Sequence, residues 1–213
     1  MEAYQREFIQ FAISNKVLCF GDFTLKSGRK SPYFFNSGLF NNGESLARLG
    51  HYYASAIEAA GLEYDMLFGP AYKGIPLASA VAMTLANSFN RNIPYCFNRK
   101  EDKDHGEGGS VFGAALAGNI LIVDDVISAG TSVNLSVEII RRAGANPVGV
   151  AVALDRQERG GSQLSAVQEV EQHHKLKVIS IITLNDMVEY LANVPGMTEI
   201  LDKICKYRED YGV

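Results

Sequence analysis

The run Ile120-Leu121-Ile122-Val123 limits what this chain can fold into more than any other stretch. Four consecutive branched apolar residues, bounded by Gly118-Asn119 before and Asp124-Asp125 after, leave no polar face for water, so they read as a short strand buried on both sides. Strands of that kind sit inside parallel sheets covered by helices. The chain around it repeats the theme: residues 64–68, 94–97, 148–154 and 178–182 read as further strands. Helical periodicity lies between them, from Pro76 through Ala82 and Leu85, over about 131–143, and over about 162–174. The helix over 131–143 takes its apolar positions from Val133, Leu135, Val137 and Ile140. Alternation of strand and helix predicts crossover units, hence an α/β fold with a mainly parallel central sheet flanked by helices.

The ends of the chain differ from its middle. Tyr4, Phe8, Phe11 and Ala12 recur at helical spacing and predict an amphipathic helix over 3–15. Two β-rich runs flank a Ser-Gly-Arg-Lys-Ser-Pro turn and predict an antiparallel hairpin over about 18–38, a small N-terminal hood subdomain. A helix over 44–60 stops at Gly61, and two short helices around 187–192 and 198–207 are separated by Pro195-Gly196. Residues 99–113 are charged, glycine-rich and poor in apolar side chains, and predict a long, exposed, mobile loop. The whole of 1–213 reads as one domain. A formal net charge of -4 argues against partners such as nucleic acid or a membrane surface. Cys19, Cys96 and Cys205 are far apart, with no Cys-x-x-Cys, which suits a reducing cytoplasm rather than a disulfide framework or a zinc site. The charged start at Glu2, Arg6 and Glu7 is unlike a signal peptide.

Chemistry gathers where the strands end. After Val123 come Asp124 and Asp125, then Ser128, Gly130, Thr131 and Ser132 at the start of a helix. Unpaired N–H groups and the helix dipole make such a turn an anion cradle. Two acids beside an anion cradle fit one ligand that carries both a diol and a phosphate: the carboxylates accept from ribose hydroxyls while the turn wraps the 5-phosphate. Neither Gly-x-x-x-x-Gly-Lys-Ser/Thr nor Gly-x-Gly-x-x-Gly after a strand occurs here. Lys73 follows the first central strand in a Pro-Ala-Tyr-Lys-Gly-Ile-Pro turn, and Arg99, Lys100, Lys103 and His105 follow the second. After the fourth, Arg156 is placed to clamp a carboxylate. Taken singly, each of these is also what a capped helix, a solvated loop or a surface arginine looks like. Their convergence at the carboxyl ends of adjacent strands, where ligands of open α/β sheets bind, favours a site.

The stretch from Ile120 to Ser132 resembles the 5-phosphoribosyl pyrophosphate (PRPP) motif of type I phosphoribosyltransferases. Further motifs narrow the resemblance: Lys26 with Ser31-Pro-Tyr-Phe-Phe-Asn36, Pro70-Ala-Tyr-Lys-Gly74, Arg99-Lys100-x-x-Lys103-x-His105-Gly106 and Leu154-Asp-Arg-Gln-Glu-Arg-Gly160. Together they are similar to the orotate phosphoribosyltransferase family over nearly the whole chain. The resemblance implies that Asp124, Asp125, Val126, Ile127, Ser128, Ala129, Gly130, Thr131 and Ser132 hold the ribose 5-phosphate of PRPP, the two acids lying on the ribose hydroxyls. It assigns Tyr72, Lys73 and Arg99 to the pyrophosphate, and Phe34 and Phe35 to a hood over the base that also carries Lys26, counted among the PRPP-binding residues. Ser128 and Arg156 would contact orotate; the family often has threonine where this chain has Ser128. Lys100, Lys103 and His105 would lie on a lid reaching into the neighbouring subunit's site, which implies a homodimer. Lys73, Lys103, Asp124 and Asp125 are then the catalytic residues.

The implied reaction joins orotate to PRPP, giving orotidine 5′-monophosphate and pyrophosphate on the route to UMP. Its implied cofactor is Mg²⁺, held mainly by PRPP with Asp124 and Asp125 reaching it through water, and not by a dedicated metal site. Two alternatives keep the PRPP motif. A purine phosphoribosyltransferase has no evident use for Arg156 and this hairpin, and a regulatory PRPP sensor would be expected to carry a helix-turn-helix or a basic face, neither of which the sequence shows.

Overall fold

The computed structural model describes residues 1–25, 27–99, 111–127, 130–160 and 162–213. The amphipathic pattern at the start forms α1 (Ala3–Ser14), which buries Phe8, Ile9, Phe11 and Ala12. The hairpin follows as β1 (Leu18–Thr24) and β2 (Lys30–Phe35), antiparallel, with a register shift between Phe20 and Phe23. A 3₁₀ turn (Ser37–Leu39) leads to α2 (Gly43–Ala60), which ends at Gly61 in the left-handed conformation that glycine adopts without steric cost.

Crossover units then alternate: β3 (Met66–Gly69), α3 (Gly74–Ser88), β4 (Tyr95–Asn98), β5 (Val111–Gly113), β6 (Asn119–Val123), α4 (Thr131–Arg142), β7 (Asn146–Asp155), α5 (Ala166–His174) and β8 (Lys177–Thr183). The helices α6 (Leu184–Ala192) and α7 (Thr198–Tyr211) close the chain. The sheet order is β5-β4-β3-β6-β7-β8, parallel throughout except for β5 against β4. The expected mainly parallel sheet is therefore present.

Period-two alternation divides the core. Leu67, Leu121, Val123, Ala151, Ala153, Ile179 and Ile181 point to one face, where α1, α2, α3, α6 and α7 pack. Met66, Phe68, Ile120, Ile122, Val150 and Val152 point to the other, against α4 and α5. All four residues of the 120–123 run have no exposed surface, as a run with no polar face requires.

Three expectations need correction. Residues 111–113, read as the end of a loop, form the edge strand β5, too short and too rich in glycine to show periodicity. The helix read from residue 162 begins at Ala166, because Ser165 and Gln168 form a capping box while Ser162 Oγ donates to Glu169 Oε1 at 2.5 Å. Leu135 is 49% exposed, since Val133, Val137 and Ile140 already fill the i, i+4, i+7 stripe that faces the sheet. These faces predict that Ile122→Ala lowers stability by about 3 kcal/mol, whereas Leu135→Ala changes it by less than about 0.5 kcal/mol. Urea midpoints measure both, and equal losses would contradict the assignment of faces.

Candidate active site

β3 and β6 are adjacent in the sheet, yet α3 leaves β3 to one face and α4 leaves β6 to the other. That divergence opens a crevice beyond their carboxyl ends, the topological switch point at which α/β sheets bind ligands. The loop after β3 folds tightly over it. A Cβ on Gly69 would lie 2.2 Å from Gly74 O, and one on Gly74 would lie 2.8 Å from Val123 O, so both positions need glycine. The buried Asn98 braces this loop by accepting from Ala71 N–H at 2.8 Å. The Ala71–Tyr72 peptide bond is cis. Lys73, at the start of α3, reaches across the crevice and donates to Asp125 Oδ2 at 2.5 Å.

The two acids stay in the backbone ladder with β7. Asp124 N–H donates to Ala151 O at 3.0 Å, Ala153 N–H donates to Asp125 O at 2.8 Å, and Val126 bridges Leu154. Consecutive strand residues face opposite ways, and these two do. Asp124 Oδ2 accepts from Ser132 Oγ at 2.8 Å in the first turn of α4, and its backbone carbonyl accepts from Tyr53 Oη at 2.7 Å. Asp125 Oδ2 accepts from Lys73 and from Ser37 Oγ at 2.6 Å. Gly130, left-handed at φ 69°, turns the chain into α4 and leaves Thr131 and Ser132 at its N-terminus. Ser37 and Tyr53 are absent from the sequence-based site, because contacts across 88 and 71 residues leave no local signal.

Arg156, after β7, meets the hairpin. Its guanidinium lies 4.1 Å over the Tyr33 ring, donates from Nη2 to Ser31 Oγ at 3.2 Å, and pairs with Glu158 Oε1 at 2.6 Å. Strand alternation gives Phe34 and Phe35 different surroundings. Phe34 is 39% exposed and stacks on Phe23, while Phe35 packs against Phe8 in the core margin. Arg99 rests over the Phe112 ring of β5 at 5.3 Å, and Tyr72 is exposed. Lys26, Lys100, Lys103, His105, Ser128 and Ala129 lie outside the described residues. A cleft of about 490 Å³ between α4 and α5 touches Gly130 but neither acid nor Lys73. Lys73, Asp124 and Asp125 gather at the crevice, which is the candidate site, while Arg156 stands with the hairpin and Arg99 with β5.

The phosphoribosyl transferase domain family matches residues 36–189, well over half of the chain, and the chain belongs to that family. Among its relatives, an orotate phosphoribosyltransferase of Yersinia enterocolitica is 59% identical over 213 residues, covering 100% of both chains. One from Salmonella newport is 58% identical over the same span. The crystal structure of the Francisella tularensis orotate phosphoribosyltransferase matches with a TM-score of 0.90 at 42% identity, covering 97% of this chain and 100% of that one. Within the phosphoribosyltransferases, this chain falls among the orotate phosphoribosyltransferases.

Burial is the largest influence on Asp124 and lifts its pKa to about 6, with the Asp125 charge adding to it and Ser132, the Asp125 N–H and Lys73 opposing. A carboxyl whose pKa is higher folded than unfolded contributes stability that is full below the unfolded value. That contribution is lost as pH rises through about 6. In the ligand-free, metal-free protein, Asp124→Asn removes this titration. Relative to the variant, the parent should therefore lose up to about 3 kcal/mol between roughly pH 4 and pH 7. Urea denaturation across that range measures it, and parallel stability curves would contradict the burial argument.

Proposed function

We propose that this chain transfers the 5-phosphoribosyl group of PRPP to N1 of orotate, releasing pyrophosphate and giving orotidine 5′-monophosphate for UMP synthesis. The observation that carries the reading is full-length identity of 59% to an orotate phosphoribosyltransferase, with neither chain overhanging the other. The crevice supplies a physical route. As pyrophosphate is displaced from the anomeric carbon, positive charge grows on the ribose and negative charge on the leaving group, so stabilisation is mainly electrostatic. Lys73 and Arg99, beyond β3 and β4, together with Lys103 and Tyr72, serve the pyrophosphate. Asp124 and Asp125 serve the ribose hydroxyls and its developing charge. The stretch from Val126 to Ser132, whose end is the first turn of α4, takes the 5-phosphate. In this scheme Lys73 exchanges Asp125 for the pyrophosphate when PRPP enters.

Mg²⁺ fits as an ion carried by the ligand. Among the described residues no three His, Cys, Asp or Glu side chains converge on one point, and both acids already accept hydrogen bonds from protein donors. Asp124 and Asp125 would reach it through water, and the bound ion would neutralise charge on the pyrophosphate. The base lies at Arg156 and Ser128 under the hood of Lys26, Phe34 and Phe35. A homodimer whose lid, with Lys100, Lys103 and His105, completes the partner's site belongs to the same reading and rests on the family resemblance. So does a cytoplasmic location, where the three free thiols stay reduced.

One assay tests the substrate: incubation with PRPP and Mg²⁺ plus orotate, adenine, hypoxanthine or uracil in turn, following loss of the base. Orotate alone should be consumed; turnover with adenine but not orotate would refute the reading, and no turnover with any base would favour a PRPP sensor. For the lid, Lys103→Ala should lower kcat far more than it raises the Kd for PRPP. Mixed dimers of Lys103→Ala and Arg156→Ala subunits should regain part of the activity. Verified heterodimers with none would count against sharing.

A further inference from the structure

Glu158 lies inside the Leu154-to-Gly160 motif without a role assigned to it, yet it receives three donor atoms, two of them from Arg156. Its Oε1 accepts from Arg156 Nε at 2.9 Å, Arg156 Nη2 at 2.6 Å and Tyr33 Oη at 2.9 Å. The pair is mostly out of water, with side-chain exposures of 19% for Arg156 and 11% for Glu158. Burial, the largest influence on Tyr33, keeps its hydroxyl protonated and so a donor.

Glu158 is itself held from two sides. Tyr33 ties it to the hairpin, while its backbone bridges Gly212 just past α7, and the next residue, Arg159, donates its N–H to Tyr211 O at 2.8 Å. A guanidinium presents two donor edges. Glu158 occupies the Nε–Nη2 edge, leaving Nη1 and the second Nη2 hydrogen; among the described residues this second edge meets Ser31 Oγ at a long 3.2 Å, with Tyr207 also acting on the guanidinium. That remaining edge matches a carboxylate or a carboxylate-plus-carbonyl pair.

We infer that Glu158 is a positioning residue: it locks one edge of Arg156 so that the other is presented, pre-oriented, to the anionic base. The inference rests on the placement of the base at Arg156. Without Glu158 the guanidinium keeps its charge but swings on its flexible stem, and orientation must be restored at the expense of base affinity.

Steady-state kinetics on Glu158→Ala, Arg156→Ala and the double variant test it. Glu158→Ala should raise KM for orotate by about tenfold, the effect of misaligning one charge-assisted contact. KM for PRPP should stay within about twofold, a change too small to signal a lost contact. Glu158→Gln, which keeps an acceptor oxygen in place, should recover part of the loss. In the Arg156→Ala background, Glu158→Ala should add nothing further. Additive losses, or parallel rises in both KM values, would overturn the positioning role while leaving the base site intact. An unchanged orotate KM in Arg156→Ala would instead overturn the base placement, and this inference with it. Should Glu158→Ala fail to fold, Tyr33→Phe carries the test, because it removes only the hydroxyl: a smaller rise in orotate KM alone is expected, and no rise would overturn the role.

Discussion

The Lys73–Asp125 ion pair spans the place where the sheet changes direction, and the functional arrangement depends on that crossing. β3 and β6 run side by side, but their helices depart to opposite faces, so the segments after them must diverge over an open crevice. The contact at 2.5 Å joins those two segments through their side chains. Its value as a stabilising interaction is modest, because the lysine side chain is 60% exposed and solvent screens it. Its importance is geometric: a cation suited to a pyrophosphate and an acid suited to a ribose hydroxyl stand within one ligand's reach.

Everything else at the site tightens that geometry. Gly69 and Gly74 let the loop lie against Val123 O, and Asn98 holds it from β4. Tyr53 and Ser37 fix the acids from α2 and from the exit of the hairpin. The alternation that buries Leu121 and Ile122 on opposite faces continues into Asp124 and Asp125, sending one toward α4 and the other toward α3. The same hairpin reaches Arg156 through Ser31 and Tyr33, so β2 and the turn that follows it touch both halves of the site.

Much of this was legible in the sequence, for physical reasons. A run such as Ile120 to Val123, short, rich in β-branched residues and flanked by turn signals, reads as a doubly buried strand, and its order with two acids, a hydroxylated turn and a helix is local, hence readable. The hairpin, the α2 stop at Gly61 and the strand–helix alternation are equally local. What escaped depends on contacts between distant segments. β5 exists because β4 offers it a partner, and Leu135 faces water because the sheet meets only one stripe of α4. Ser37, Tyr53 and Glu158 matter through partners 88, 71 and 125 residues away. The start of α5 was the avoidable miss, since Ser165-Ala-Val-Gln168 is a readable capping box.

On the proposed function, PRPP enters the β3–β6 crevice by replacing the Lys73–Asp125 contact. A crystal structure of the protein with PRPP and Mg²⁺ measures it directly. The expected result places Lys73 Nζ within about 3 Å of a pyrophosphate oxygen, at hydrogen-bond distance. Ribose hydroxyls should then lie on Asp124 and Asp125, with the 5-phosphate at Gly130, Thr131 and Ser132. A ligand bound away from that turn, with Lys73 still on Asp125, would contradict it.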